Sequence, residues 1–367
     1  MNVKICKKCL LSSNIPFSGI NEANICIYCR EFNVKTLIHA EEQRKLFEID
    51  FEKAVRKIKD SVNDNIYDCL VPLSGGKDSC YLLNILIEKY NLRPLAFTFD
   101  VGLAAVAWDS IERTIKKLDV DHVIYRPPEK TFKKIVKFLL QNQLSGGAVR
   151  TVDYEYAYLF ESQALYMAME KNIKYIFAGY SPGQPEPERM LYEFNRKIIC
   201  DTDWTPGLLR ESGLFSKEEL SLWWNPNNFS KDKIFPQYIA PLHALPYNQD
   251  QVMKEVVSKG LVRSMKNANP VFSNFPLNWL LMYSDIKNLG YNPYTPEFSK
   301  LIREGKANRS TWKFFKFLVE IMIKYRIFLG KNVTTCLKWL DLDSSDLKIT
   351  RKMKSEKSSP YPGKLEE

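Results

Sequence analysis

The sequence is poor in histidine, has no long uncharged apolar run and shows no internal repeat. Its 367 residues include three histidines, His39, His122 and His243, and none stands at a spacing that would pair it with another as a metal ligand. Each reads as a surface or core residue. The most apolar late stretch, 314–330, is interrupted by Lys316, Glu320, Lys324 and Arg326, well short of the roughly 20 uncharged residues a membrane span needs. No membrane span is expected. Eight cysteines are too few for a disulfide scaffold in a chain of this length, and the start MNVKICKKCLL lacks the apolar core of a signal peptide. A reducing, cytoplasmic setting is therefore expected. At 45% hydrophobic and 26% charged, disorder over most of the chain is excluded, and the length suits one large or two medium domains.

What is present begins with charge. The formal net charge is +10, from 53 Lys and Arg against 43 Asp and Glu. Part of the surplus lies in 348–367, where six basic and three acidic side chains form a polar segment that reads as a disordered basic tail. The remaining bias suits nucleotide phosphates as well as it suits RNA.

Four cysteines fall in the first thirty residues as Cys6-x-x-Cys9 and Cys26-x-x-Cys29, with sixteen residues between the pairs. This is the spacing of a four-thiolate zinc ribbon, a closed site with a structural or docking role. An iron–sulfur cluster or unliganded thiols are the alternatives. The ribbon is assigned to 1–35 and an amphipathic linker helix carrying Leu37, Phe47, Phe51, Val55 and Ile58 to 36–62. Short apolar runs then alternate with helical segments: strands at 67–73, 94–99, 122–125 and 175–178, helices at 79–90, 108–118, 132–140 and 155–171. That alternation predicts an α/β domain with a parallel sheet over 63–247. Its last part, 182–246, is rich in Pro, Trp and Asn and reads as capping loops and short helices. A helical C-terminal region follows over 248–347.

The strongest signal is the apolar run Tyr67–Leu73 emptying into Ser74-Gly75-Gly76-Lys77-Asp78-Ser79 and then an apolar helix. A Gly-rich turn at a helix N-terminus aims unpaired N–H groups at one point, where the helix dipole also favours an anion. Ser74 and Ser79 add hydroxyl donors, Gly75 and Gly76 allow close approach, and Lys77 supplies a cation for developing charge. Asp78 beside phosphate calls for a bridging divalent cation and is the candidate magnesium contact. The Walker spacing is not met, so a P-loop NTPase is disfavoured.

The SGGKDS string after a hydrophobic strand resembles the signature of the PP-loop ATP pyrophosphatase superfamily, of the adenine nucleotide α-hydrolase-like fold. Its members adenylate a carbonyl-type oxygen with ATP, release pyrophosphate and let a nucleophile displace AMP. The layout is most similar to the N-acetyl sugar amidotransferases: paired Cys-x-x-Cys, linker helix, YDCLVPLSGGKDS, RPLAFTFDVG, and Leu301-Ile302-Arg303-Glu304-Gly305-Lys306 ahead of Arg309. The resemblance implies ATP, Mg and Zn as cofactors, Lys77 and Asp78 as catalytic residues, and Phe99, Asp100 and Gly179 beside 74–79 as nucleotide contacts. It implies an N-acetylated, nucleotide-linked sugar as acceptor, in surface polysaccharide or nonulosonic acid biosynthesis. It also implies a separate glutaminase and channelling subunit as ammonia source, docking on the ribbon and the helical C-terminal region. Arg150, Asp153, Glu186, Glu188 and Arg189 read as a solvated charged face or as acceptor contacts, and Asp100 alternatively as a turn aspartate.

Two rival readings remain. One is a tRNA-modifying, thiolase-like enzyme of the same superfamily, although no nucleic-acid partner is favoured. The other is a zinc-ribbon adaptor that keeps the nucleotide fold as a scaffold, against which the intact SGGKDS string argues. Relatives of both enzyme types carry a further mid-domain Cys-x-x-Cys, whereas Leu144 to Arg150 here has no cysteine. That weighs more against sulfur transfer, which needs thiols to carry sulfide. Cys69, Cys200 and Cys336 read as core residues, and Cys80 as a thiol whose pKa a helix N-terminus lowers.

A glutaminase needs a cysteine at the N-terminus or on a sharp Gly-flanked turn beside a histidine. Asn2 follows the initiator, and none of Cys69, Cys80, Cys200 and Cys336 has a neighbouring glycine. The isolated chain is therefore predicted to use ammonium and to release no glutamate from glutamine, with or without ATP and acceptor. Robust glutamate release would contradict this division of labour.

Overall fold

The computed structural model describes residues 3–60, 65–182, 196–269 and 275–351. Glu186, Glu188, Arg189 and 352–367 lie outside the described residues, as does the side chain of Asp153. The chain forms two compact units, one from 1–42, 132–154 and 275–367, the other from 43–131 and 155–274. Among the described residues no helix is long and apolar enough to cross a membrane.

The second unit is an α/β layer structure. Two fully buried strands, β1 (Cys69–Pro72) and β2 (Pro94–Phe99), lie side by side in parallel. Their continuous apolar runs suit strands covered on both faces. β3 (His122–Tyr125) pairs with β2, β5 (Tyr175–Phe177) with β1, and β6 (Gln237–Ile239) with β5. The order β3-β2-β1-β5-β6 is parallel throughout, as the strand–helix alternation implies. The chain leaves β1 toward β2 on one side, and β5 is added on the other. A topological switch point therefore lies between β1 and β5, where parallel sheets open a crevice at the C-terminal ends of their strands. Helices α3 (Lys77–Glu88) and α4 (Ala105–Leu118), and most of α6 (Tyr154–Glu170), return the chain to the sheet. The core beneath α3 also takes Phe51, Val55 and Ile58 from the second half of α2 (Val34–Asp60).

β6 lies inside the 182–246 stretch that the sequence assigns to loops and short helices. It has three residues, so no alternation marks it, and its pairing with β5 is what makes it a strand. An aromatic group packs around a buried tryptophan in the same segment: Trp224 lies 5.2 Å from Phe229 and 5.0 Å from Phe235.

The first unit holds α1 (Ile27–Glu31), part of α5 (Glu129–Gln141), α7 (Leu277–Leu289) and three further C-terminal helices described below. It also holds a two-stranded sheet in which β4 (Gln143–Leu144) runs parallel to β7 (Ile349–Arg351). Three residues read as part of the basic tail are thus strand. The cysteine-free 144–150 segment is held by buried polar groups. Gly147 has φ +89°, and a Cβ there would lie 2.3 Å from Asp285 Oδ1. Asp285, fully buried, accepts the Ala148 N–H and, at 3.1 Å, the Val149 N–H. Thr151 donates to Gly147 O at 2.7 Å, and the Gln143 amide to Ser284 Oγ at 2.9 Å.

Removing the Asp285 carboxylate strands the buried Ala148 N–H and the half-buried Val149 N–H. Asp285→Ala is expected to destabilise the first unit by about 2–3 kcal/mol, read as a lower denaturant midpoint, with an Asp285→Asn variant losing less.

Candidate active site and metal centre

The loop 73–76 joins β1 to α3 at the switch point, and two close backbone approaches shape it. Gly75 sits at φ +73°, and a Cβ there would lie 2.3 Å from Ala107 O in the first turn of α4. Gly179, two residues past β5, passes over α3 so closely that a Cβ would lie 2.8 Å from Ser79 Cα. Both positions require glycine for space, and Gly75 for conformation as well. Inside the turn, Ser74 Oγ and Ser79 Oγ are 3.3 Å apart. Ser79 Oγ accepts the Ser74 N–H at 3.3 Å and donates to Gly76 O at 3.1 Å. The Gly76 N–H donates to Ser74 Oγ at 3.4 Å, so the two hydroxyls brace the loop at the N-terminus of α3, whose first-turn N–H groups have no partner within the helix itself.

Lys77 is 6% exposed, and its Nζ lies 2.6 Å from Asp78 Oδ2. The Tyr247 hydroxyl donates to Asp78 Oδ1 at 2.7 Å. The pair therefore sits at the mouth of the loop with its carboxylate fixed from two sides. Tyr247, from the connection after the short helix Pro241–Ala244, escaped the sequence reading because no local pattern ties it to a loop 169 residues away.

At the end of β2 the Asp100 carboxylate is nearly buried, 4% exposed. Oδ1 accepts the Gly102 N–H at 3.0 Å and the Leu103 N–H at 3.3 Å. Oδ2 accepts Arg126 Nε at 2.7 Å. Burial works to raise this carboxyl's pKa, but the Arg126 and backbone hydrogen bonds outweigh it and hold the group below its ordinary value. Both oxygens are thus engaged within the protein, in the turn role that stands as the alternative reading of Asp100. The Arg126 side chain is 70% exposed and presents its outer edge to solvent at the same end of the sheet. Phe99 is buried, its ring stacked 5.6 Å from Tyr125. Beneath the loop, Thr98 donates its hydroxyl proton to Leu73 O at 2.7 Å, so His122 Nε2, 2.8 Å away, is the donor to Thr98 Oγ1. Burial lowers the pKa of this imidazole.

Cys80 corrects its expectation. It is fully buried, and desolvation pushes its thiol up to about 11, outweighing the helix N-terminus. Cys69 is raised by burial as well, and Cys336 to about 11. Arg150 is half-buried in a π-helical turn of the first unit.

In the first unit Cys6, Cys9, Cys26 and Cys29 are buried, and their four Sγ atoms lie within 4.8 Å of one another. Cys9 and Cys26 are 3.5 Å apart, Cys6 and Cys29 3.8 Å. A tetrahedral thiolate site with metal–sulfur bonds of about 2.3 Å has sulfur–sulfur edges of roughly 3.8 Å, so the four fit around a single ion. A four-iron cluster places each thiolate on a separate iron, which asks for a wider set. The knuckle turns bring the sulfurs in: Cys6 N–H donates to Leu11 O at 2.8 Å, and Leu10 takes φ +68°. Arg303, at the end of α8 (Thr295–Arg303), donates from Nη1 to Cys9 Sγ at 3.5 Å and lies 5.3 Å over the Tyr28 ring. Ile302 and Tyr291 pack on the same cluster.

No protein-family model and no curated protein matches the sequence. Among solved structures, the chain is similar to the U34-tRNA thiolase NcsA from Methanococcus maripaludis with its 4Fe–4S cluster, at 16% identity and TM-score 0.34, over 87% of this chain and 89% of that one. It is similar to NMN synthetase from Francisella tularensis at 12% identity and TM-score 0.34, over 85% and 99%. A protein described as a predicted subunit of tRNA methyltransferase from Methanocaldococcus jannaschii matches at 16% identity and TM-score 0.26, over 57% and 94%. At these scores none of the three carries an argument about this chain.

The cluster geometry predicts one tightly held ion per chain by elemental analysis of protein purified without added metal. Cys6→Ser is expected to lose it. Arg303→Gln is expected to retain it with an affinity roughly 10- to 100-fold lower, read as faster release to a chromogenic chelator. Folded, metal-free wild-type protein would contradict both.

Proposed function

We propose that the chain is an ATP-dependent amidotransferase that cleaves ATP between its α and β phosphates and amidates the acetamido group of an N-acetylated sugar. The observation that carries the ATP part is the Ser74–Ser79 loop, which opens at the switch point of a parallel sheet with a buried lysine at its mouth. The acceptor class rests on the resemblance of the SGGKDS string and its flanking segments to the sugar amidotransferases.

The loop N–H groups and the Ser74 and Ser79 hydroxyls bind the β and γ phosphates. The acetamido oxygen attacks the α phosphorus, the bond to the bridging oxygen breaks, and pyrophosphate leaves with that bond's electron pair. Lys77 Nζ meets the charge that develops there, which is where a fixed cation lowers the barrier. Tyr247 holds Asp78, and Asp78 holds Lys77, so the ammonium is placed before ATP arrives. Ammonia then adds to the imidate carbon, the carbon–oxygen bond breaks, AMP departs with the former acetamido oxygen, and loss of a proton leaves an acetamidino group. Asp78 would hold a magnesium ion through its remaining lone pairs, and the ion would neutralise charge on the leaving pyrophosphate. The four thiolates would hold one zinc ion, closed to substrate, with a structural role. Sulfur transfer is less well served, because Cys69, Cys80 and Cys336 are buried, and Cys200, half-buried rather than the core residue the sequence suggests, is the one remaining thiol outside the four-cysteine set.

An assay with labelled ATP, ammonium and a panel of acetamido sugars beside bulk tRNA tests the reading. AMP and pyrophosphate are the expected products, with turnover on a sugar. Lys77→Ala is expected to lower the rate by about a hundredfold or more with the fold intact. ADP and orthophosphate would overturn the ATP reading, and turnover on tRNA alone would overturn the acceptor.

A further inference from the structure

The helix α9 (Arg309–Tyr325) buries Trp312, Val319, Met322 and Ile323 and leaves its other side uncovered. Phe314 is 58% exposed, Phe317 61% and Tyr325 62%. At 3.6 residues per turn these three, with the half-buried Ile321, fall within about a quarter of the helix circumference and form one stripe. The chain then turns toward α10 (Lys331–Leu340) through Ile327, Phe328 and Leu329, which are 39%, 77% and 40% exposed. Scattered exposed apolar residues need no explanation, but six on one helix stripe and the turn that follows it do.

The backbone holds this display in place. Arg326 and Phe328 take φ +52° and +48°, a strained region for residues with a Cβ. Gly330 packs so tightly that a Cβ there would lie 1.8 Å from Met322 O. The turn thus pushes its largest side chain outward. Around it, Lys313, Lys324 and Lys331 are exposed, and among the described residues none has a carboxylate in salt-bridge reach. Lys324 lies 5.3 Å over the Tyr325 ring. Lys313 and Lys324 border one edge of the stripe, and Lys331 follows the tip.

An apolar stripe with cations along its border fits an anionic partner. A second copy of the same face would bring lysines against lysines. Nucleic acid offers bases for the aromatic rings, but nothing for Ile327 and Leu329, and its phosphates are better forked by arginine than met by lysine. A bilayer accepts aliphatic and aromatic side chains alike just below its headgroups, while lysines meet acidic lipid above them. We propose that this face docks the protein on an anionic lipid bilayer, with Phe328 and its neighbours inserted and α9 lying in the interface rather than spanning it. Nothing in this inference depends on the ATP reading.

Sedimentation of the full chain with vesicles of phosphatidylcholine alone, or mixed with phosphatidylserine, tests it. The chain is expected to partition onto the acidic vesicles only, less so as salt rises. Phe328→Asp and the pair Lys324→Glu and Lys331→Glu are each expected to weaken this by about tenfold or more. The far-UV circular dichroism spectrum and denaturant midpoint of these variants should match those of the wild-type chain, which reports that they fold. Failure to bind acidic vesicles, or binding that both variants retain, overturns the proposal. Bulk tRNA binding lost in the variants, without vesicle binding, assigns the face to nucleic acid instead. A concentration-dependent dimer abolished by Phe328→Asp, without vesicle binding, assigns it to a second copy.

Discussion

Two places where backbone meets backbone with no room for a side chain determine the mouth of the parallel sheet. Gly75 lies against the Ala107 carbonyl at the start of α4, and Gly179 lies against Ser79 at the start of α3. Each contact ties a loop at the C-terminal edge of the sheet to a helix that packs on it. Neither would survive a Cβ without moving a helix, because the obstructing atoms are main-chain atoms that cannot rotate away. The loop between β1 and α3 is therefore held as part of the scaffold before any ligand arrives.

The charges follow from that placement. Lys77 is almost buried at the loop, and an isolated buried ammonium is costly, so Asp78 stands beside it and Tyr247 holds Asp78 from the far side. At the neighbouring strand end the same logic gives Asp100 its partners: two backbone N–H groups form the turn, and Arg126 supplies the counter-charge from the end of β3. In the other unit, Arg303 plays the corresponding part toward a cluster of four sulfurs that would carry excess negative charge with a divalent ion bound. Each site so joins residues far apart in sequence: Tyr247 to Asp78, Arg126 to Asp100 and Arg303 to Cys9.

Much of this was legible in the order of the residues. The runs at 94–99 and 122–125 end where β2 and β3 end, because Pro94, Asp100, Asp121 and Arg126 bracket short apolar stretches. The glycines, Lys77 and Asp78 are contiguous, so one turn of chain states the chemistry of the loop, and two Cys-x-x-Cys pairs state the donor set of the metal centre. What could not be read was what depends on distant partners. β6 is three residues whose only mark is the strand beside them. Tyr247 and Arg126 look like ordinary connection residues until the sheet brings them in. Cys80 shows a competition between two known effects, helix dipole and burial, whose outcome depends on packing by residues that no local pattern reveals.

The central claim is that the loop between β1 and α3, roofed by the connection after β5, is a preformed seat for pyrophosphate. Amide hydrogen exchange with and without inorganic pyrophosphate measures this without chemistry or acceptor. The account predicts slowed exchange at residues 74–80 and 179–181 in the wild-type chain, with no such protection in a folded Gly179→Ala variant. Protection confined to other segments, or none at saturating pyrophosphate, would contradict it.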